Sequence, residues 1–422
     1  MKNSLLHTPE GVRDIYNQEC AKKSTLQSKI NKLLKLYGYH DIQTPTFEFF
    51  DIFNKERGSV SSHEMYKFFD REGNTLVLRP DITPSIARSA AKYFMDEDMP
   101  IRLCYMGNTY INTSSYQGLL KETTQIGCEL IGDNSASADA EMVSLVIQSL
   151  LKAGLKEFQV EVGQVDFFKG LVEESGIDQE TEFRLRNLLE NKNYFGVEEL
   201  LSNQPMSQKQ KEIFLKLSGL FGSVEILSEA KEFTQNTKAR KAIERLEKVY
   251  EILKDYELEK YVSFELGMTG HYGYYTGIIF KAYTYGTGDS IVTGGRYDNL
   301  LKQFGKNSPS IGFGLIVDQL MVALSRQKID IPIEEVYTMI LYAPSYGKLG
   351  VQLADYFRKS GDNIELNPMK INKTLEDYKE YARRNHVAGI LYMENETTIQ
   401  VINVIENTTQ LANLSDFIGG VQ

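Results

Sequence analysis

Two polar side chains in the first third of the chain have the types and spacing needed to hold a small ligand. Gln125 and Glu129 lie four residues apart in the β-rich run Gln125-Ile126-Gly127-Cys128-Glu129. Residues an even number apart on a strand point to the same side, so both groups would face one bound molecule. The pair suits a small amine, because an ammonium that leaves water requires carbonyl or carboxylate acceptors. Taken alone, Glu129 is more typical of a solvated strand residue than of a binding group.

Further candidate groups occur at two other places along the chain. Asp81 and Thr83 follow Arg79-Pro80, and an Arg-Pro-Asp triplet alone indicates only a turn. Tyr274-Tyr275 supplies two neighbouring rings, which alone are typical of half core and half interface. His271 lies close by, where a local hydrogen bond to the backbone is favoured over catalysis. The sequence has no Gly-x-x-x-x-Gly-Lys motif, no Gly-x-Ser-x-Gly motif and no metal-ligand cluster, so neither cofactor nor metal is expected.

The elements that must position these groups follow from apolar periodicity. A first amphipathic helix is predicted over residues 19 to 37, closed by Gly38. A second is predicted over 138 to 153, with acidic residues in its first turn and Gly154 at its end. Two short β-rich runs around a polar turn at 71 to 74 predict a hairpin. Further strands are predicted at Ile101–Met106, Thr123–Ile131, Glu157–Glu161 and Ile278–Tyr283. Neighbouring strands without crossover helices favour an antiparallel sheet with helices on one side, an α+β fold.

Two domains are predicted, because the pattern changes near residue 330. The first, residues 1 to 325, includes a mostly helical insertion from about 163 to 260, where one apolar stripe faces lysines and glutamates. The second, residues 330 to 422, alternates strands with helices and predicts a small α/β domain. Its predicted elements are strands at 337–343, 387–393 and 398–405 and helices at 349–357 and 375–384.

Composition restricts the function classes. The 422 residues carry a formal net charge of -10, which disfavours binding of a polyanion, since phosphate neutralisation supplies most nucleic-acid affinity. Between Thr109 and Thr124 the only cation is Lys121. Three cysteines without Cys-x-x-Cys spacing are typical of a reducing compartment, and no apolar signal core or apolar run of spanning length occurs. We therefore expect a cytoplasmic protein.

The order of the motifs resembles that of the histidyl-tRNA synthetases over residues 1 to 320. Leu78-Arg79-Pro80-Asp81-Ile82-Thr83 is similar to that family's Leu-Arg-Pro-Glu-Gly-Thr, and the Gln125–Glu129 run and Tyr274-Tyr275 are similar to its next histidine-binding segments. The resemblance implies a class II aminoacyl-tRNA synthetase-like antiparallel sheet and a histidine-binding site. The residues that it implies for that site are Asp81, Thr83, Gln125, Glu129, Tyr274 and Tyr275.

Three positions depart from the synthetase pattern, and each replaces an arginine that the family uses to hold ATP. Ile111 stands where the family has the arginine of Phe-Arg-x-Glu, Gly270 where it has Leu-Val-Arg-Gly, and Gln319 where it has Gly-Leu-Glu-Arg. A charge-assisted hydrogen bond contributes about 1.5 to 3 kcal/mol, so three losses would weaken ATP binding on the order of ten-thousand-fold or more if they added. The sequence thus resembles the ATP phosphoribosyltransferase regulatory subunits, synthetase paralogues of histidine biosynthesis.

That resemblance implies a non-catalytic regulatory subunit, required for the first step of histidine biosynthesis and for feedback by histidine. The implied partners are a short-form ATP phosphoribosyltransferase catalytic subunit, free histidine as effector, and a second copy of the chain. They would form a homodimer within a larger hetero-oligomer, with no tRNA and no membrane. Two alternatives stay open at this point: a histidine–tRNA ligase with divergent motifs, and a stand-alone histidine-sensing interaction protein.

Overall fold

The computed structural model describes residues 6–53, 60–113, 120–270, 275–333 and 336–418. The α-helices of this part of the chain are α1 Asn17–Leu36, α2 Thr83–Tyr93, α3 Ala136–Ala153, α4 Val165–Ser175, α5 Gln179–Glu190, α6 Tyr194–Ser202, α7 Gln208–Lys216, α8 Glu225–Phe233, α9 Thr237–Asp255, α10 Val317–Arg326, α11 Gly347–Lys359, α12 Leu375–Arg384 and α13 Ser415–Ile418. The strands are β1 His40–Asp41, β2 Phe47–Phe49, β3 Lys67–Phe69, β4 Thr75–Leu78, β5 Ile101–Tyr110, β6 Glu122–Ile131, β7 Phe158–Gln164, β8 Phe221–Gly222, β9 Val262–Glu265, β10 Ile278–Thr284, β11 Val292–Arg296, β12 Ser310–Ile316, β13 Tyr337–Tyr342, β14 Asn363–Pro368, β15 Val387–Met393, β16 Thr398–Asn403 and β17 Thr408–Asn413.

A nine-stranded sheet forms the centre of the first of two compact units, which comprises Met1–Asp14 and Leu26–Ile331. Its strand order is β1-β5-β6-β12-β11-β10-β7-β9-β8. All neighbours are antiparallel except β1 with β5 and β7 with β9, so the predicted antiparallel core is confirmed. The predicted hairpin is also confirmed, since β3 and β4 pair antiparallel and β2 completes a three-stranded sheet.

Helices cover both faces of the large sheet, so the prediction of helices on one side was wrong. On β5, Cys104 belongs to a core cluster with residues of α1 and α3, whereas Leu103 and Tyr105 belong to a cluster with residues of α2. Successive strand residues point to opposite faces, and here both carry apolar side chains. Each face therefore requires its own cover, and α2 supplies the second one.

Local capping explains why α3 begins and ends where it does. The Ser135 hydroxyl accepts a hydrogen bond from the backbone N–H of Ala138, which satisfies one free donor of the first turn. Gly154 closes the helix with φ +106°, a left-handed conformation that favours glycine. Between these two ends, α3 packs its apolar face against the large sheet. The predicted helix over 138 to 153 is confirmed and begins two residues earlier.

The predicted helical insertion consists of α4 to α9, with only the two-residue strand β8 among them. The second compact unit comprises Ile15–Thr25 and Pro332–Gln422 and holds a five-stranded sheet of order β14-β13-β15-β16-β17. β14 and β15 both pair parallel with β13, and the remaining neighbours are antiparallel. With α11 and α12 connecting the parallel strands, this is the predicted small α/β fold.

Candidate functional site: an acceptor-lined cavity

A cavity of about 110 Å³ lies where the first turn of α2 meets the large sheet. β5, β6, β11 and β12 supply most of its wall. The sixteen described residues that line it are Val60, Pro80, Asp81, Thr83, Thr109, Ile111, Thr123, Gln125, Tyr275, Thr293, Gly295, Tyr297, Gly312, Phe313, Gly314 and Ile316. One water needs roughly 10 to 15 Å³ of such space, and drug-sized ligands occupy roughly 300 Å³ or more. The cavity therefore has the size for a small metabolite.

Asp81 stands at the entry to α2 with its carboxylate in the cavity wall. Its Oδ1 accepts hydrogen bonds from the backbone N–H groups of Ile82, at 2.7 Å, and of Thr83, at 3.3 Å. These are among the free donors of the helix N-terminus, where the helix dipole also favours a negative charge. Asp81 is only 7% exposed, so a cation bound beside it would be well shielded from water.

Glu129 lies directly behind the cavity wall and is fully buried. Its Oε1 accepts a hydrogen bond of 2.8 Å from the Thr83 hydroxyl, and its Oε2 accepts one from the Tyr297 hydroxyl. Both donors line the cavity. Burial raises the pKa of Glu129 to about 8, although the hydrogen bonds from Tyr297 and Thr83 act in the opposite direction.

Gln125 presents an acceptor that no other described residue uses. Its Oε1 is buried without a hydrogen-bond partner, and the side chain lines the cavity. Two glycines of β12 make room for this arrangement, since a β-carbon on Gly312 or Gly314 would collide with Glu129 or Gln125 respectively. A buried unsatisfied carbonyl costs about 1 to 3 kcal/mol, which a ligand N–H would recover.

The aromatic wall contains one ring that the sequence predicted and two that it missed. Tyr275 lines the cavity, and its ring lies 2.8 Å from where a β-carbon of Gly295 would stand, so only glycine fits there. Tyr297, in the segment after β11, and Phe313, on β12, also line the cavity and were not predicted. Tyr105 is not among the lining residues, but its hydroxyl donates to the carbonyl of Phe313 at 3.3 Å. Tyr297 follows Gly294-Gly295-Arg296, which was the available signal. Tyr274 and His271 lie outside the described residues.

A larger hollow of about 910 Å³ in the second unit is a weaker candidate. It contains none of the residues that the sequence predicted for a site. Its cation Arg383 is paired with Glu376 at 3.3 Å and with the Asn407 side chain at 3.4 Å. The acceptor-lined cavity of the first unit is therefore the better candidate functional site.

Comparison with known proteins identifies the family. The model of the histidyl-tRNA synthetase family matches residues 11–320. The ATP phosphoribosyltransferase regulatory subunit of Acetivibrio thermocellus is 38% identical over 98% of each chain, and that of Ruminiclostridium cellulolyticum is 40% identical over 97% of each. A crystal structure from Bacillus halodurans, described as an ATP phosphoribosyltransferase regulatory subunit/histidyl-tRNA synthetase, has a TM-score of 0.82 at 32% identity and covers 92% of this chain and 98% of that one.

The chain belongs to the ATP phosphoribosyltransferase regulatory subunits, within the histidyl-tRNA synthetase family. The class II synthetase-like fold expected from the sequence is thereby confirmed. No helix in the described part of the chain is long and apolar enough to cross a bilayer.

Ile111, Gly270 and Gln319, the three positions predicted to replace ATP-binding arginines, are uncharged. Ile111 lines the cavity with an apolar side chain. Gly270 has φ +86°, a conformation in which an arginine would be strained. Gln319 is a half-buried residue of the first turn of α10 and does not line the cavity.

Two arginines adjoin lining residues in the sequence, and both form hydrogen bonds with groups outside the cavity wall. Arg79 donates from Nε to the carbonyl of Asn108 and from Nη1 to the carbonyl of Thr44, both at 2.8 Å. Arg296 forms an ion pair of 2.6 Å with Asp139, which is almost completely buried. Among the sixteen described lining residues there is neither lysine nor arginine. The charged and polar groups of this wall can accept hydrogen bonds from a cation and offer no positive partner to a triphosphate.

Proposed function

We propose that this chain is a non-catalytic regulatory subunit of ATP phosphoribosyltransferase that binds free histidine in the acceptor-lined cavity. The observation that carries the proposal is the chemistry of the wall. Asp81 supplies a carboxylate, and Gln125 supplies a carbonyl oxygen that has no partner among the described residues. Histidine offers an ammonium and ring N–H groups to these acceptors, and Tyr275 provides an aromatic surface for the imidazole.

Three uncharged positions support the proposed absence of catalysis. Activation of an amino acid by ATP develops negative charge that fixed cations must stabilise. In the described residues, Ile111, Gly270 and Gln319 provide no such cation at the three positions where synthetases have one. We infer that the chain keeps the amino-acid half of a synthetase site and has lost the nucleotide half.

The proposed partner is a short-form ATP phosphoribosyltransferase catalytic subunit, which would perform the first step of histidine biosynthesis. This chain would act as a homodimer within a larger hetero-oligomer, without tRNA, in the cytoplasm. Cys20, Cys104 and Cys128 are all free thiols, which is typical of proteins in a reducing compartment. Coupling between the two subunits must be reciprocal: if histidine changes the affinity for the partner, the partner changes the affinity for histidine by the same factor.

Co-expression of the chain with a short-form catalytic subunit tests this function. Formation of phosphoribosyl-ATP should depend on the presence of both chains and should fall when histidine is added. Turnover that is indifferent to this chain would contradict the regulatory assignment. Histidine-dependent exchange of pyrophosphate into ATP by the chain alone would instead show an active ligase.

A further inference from the structure

The two carboxylates of the site lie in opposite electrostatic surroundings. Asp81 receives two backbone N–H groups at the positive end of α2. Glu129 receives two neutral hydroxyl groups, from Thr83 and Tyr297, in the fully buried interior. A helix N-terminus stabilises a carboxylate charge, whereas burial among neutral groups opposes it. The two groups are therefore expected to carry different numbers of protons in the empty protein.

The groups that face Glu129 from each neighbouring element contribute no positive charge. Among the described residues they are Thr83 and Asp81 at the start of α2, Tyr105 on β5, Cys128 on β6, Tyr297 after β11 and Gly312 on β12. The neighbouring Asp81 carboxyl group acts in the same direction as burial and raises the pKa of Glu129. An unpaired buried charge costs several kcal/mol. Glu129 is thus neutral in the empty cavity at neutral pH, with its O–H donating to one of the two hydroxyl oxygens that face it, in agreement with a pKa raised by burial to about 8.

We propose that the cavity takes up the ammonium group of its ligand with release of the proton held by Glu129. The inference rests on the proposed function, in which the ligand is free histidine. The O–H bond of the carboxyl group breaks, the electron pair stays on the carboxylate, and the proton passes to buffer. Thr83 and Tyr297 line the cavity, and their hydroxyl groups also form hydrogen bonds with Glu129. A positive charge in the cavity would therefore be separated from Glu129 by a single hydroxyl group. An opposite charge at about 4 to 6 Å favours the ionised carboxylate.

The proposal makes ligand affinity depend on pH in a defined direction. The empty protein binds one more proton than the complex, so raising the pH favours the complex. Affinity should rise with pH up to about 8, where Glu129 of the empty protein ionises by itself, and should then level off. With a pKa of about 8, about nine-tenths of a proton should be released for each ligand at pH 7.

Isothermal titration with histidine at pH 7, in buffers that differ in ionisation enthalpy, measures the number of released protons. Wild-type protein should release nearly one proton more for each histidine than Glu129→Gln. The ligand's own imidazole titrates alike in every variant, so the difference reports Glu129. Glu122→Gln is the matched control, because Glu122 lies on the same strand but hydrogen-bonds Asn108 outside the cavity wall. It should release the same number of protons as wild type.

Equal proton counts for wild type and Glu129→Gln overturn the inference and leave the proposed function intact. Absence of histidine binding to the wild type at any pH contradicts the proposed function, and the inference falls with it. Should Glu129→Gln fail to fold, infrared difference spectra of the wild type decide. Loss of a protonated carboxylic acid band on addition of histidine supports the proposal, and an unchanged band refutes it.

Discussion

The sharpest prediction concerns the Asp81→Asn substitution, which removes one negative charge from the cavity wall and keeps the shape of the side chain. The two hydrogen bonds from the N–H groups of Ile82 and Thr83 can still be accepted by the amide oxygen. Folding should therefore change little. Binding should change strongly, because the ammonium of histidine loses its charged partner at a position that is only 7% exposed.

The magnitude follows from the nature of the lost contact. A hydrogen bond to a charged group contributes about 1.5 to 3 kcal/mol, which corresponds to roughly a ten- to hundred-fold rise in Kd. Isothermal titration with histidine measures this change directly. The shift of Tm at a fixed histidine concentration provides a second readout, since stabilisation depends on the ratio of ligand concentration to Kd.

Asp355→Asn is the matched control, since it makes the same change of charge at an exposed position of α11. It should leave the Kd unchanged. If Asp81→Asn folds like the wild type and binds histidine equally well, then Asp81 does not hold the ammonium, and the reasoning from the acceptor-lined wall is refuted.

Three further predictions concern stability, each measured by urea unfolding. Gly270→Ala should lower the free energy of unfolding by about 1 to 2 kcal/mol, because the backbone of Gly270 has φ +86°. Gly288→Ala is the control, since Gly288 lies in open space without that backbone constraint, and it should not lower the free energy of unfolding. Equal effects of the two substitutions would contradict this reasoning. Asp139→Ala leaves two arginines without their buried partner and should lower the free energy of unfolding by about 3 to 5 kcal/mol. Lys254→Ala, which removes an exposed ion pair, should lower it by less than about 1 kcal/mol. A small loss of stability in Asp139→Ala would refute a structural role for Asp139. The pKa of Glu129 is raised from 4.5 to about 8 in the folded protein. As the pH rises between those two values, the unfolded chain has already released this proton while the folded protein still holds it. The free energy of unfolding should therefore fall by up to about 1.4 kcal/mol per pH unit in this range. Glu129→Gln should remove that slope relative to wild type, and an identical pH dependence of both proteins would argue against a protonated Glu129.

Local signals in the sequence predicted much of the fold. The acidic first turn and the terminal Gly154 predicted α3, and turn residues between two β-rich runs predicted the β3–β4 hairpin. The edge strands β14 and β17 were missed. β17 is mostly polar and exposed, so it lacks the apolar alternation that marks a half-buried strand. β14 does alternate, with Ile364 and Leu366 between polar residues, so its signal was present in the sequence and was overlooked.

The candidate site was predictable only in part. The spacing of Gln125 and Glu129 correctly indicated one face of a strand, but it could not show that Glu129 would lie behind the wall. That outcome depends on Thr83, 46 residues away, and on Tyr297, 168 residues away. Contacts across such separations are created by the pairing of β11, β12 and β6 and by the position of α2 against the sheet, which no local pattern encodes. The role of Gly312 as space for a carboxylate was hidden for the same reason.

The central claim is that a wall of hydrogen-bond acceptors without a cation binds an amino acid and excludes a nucleotide. Competition calorimetry tests it most directly: the chain is titrated with histidine, alone and in the presence of its catalytic partner, before and after saturation with magnesium ATP. The isolated chain should bind histidine, and magnesium ATP should leave the Kd for histidine unchanged when the partner is absent. Displacement of histidine by ATP from the isolated chain would contradict it.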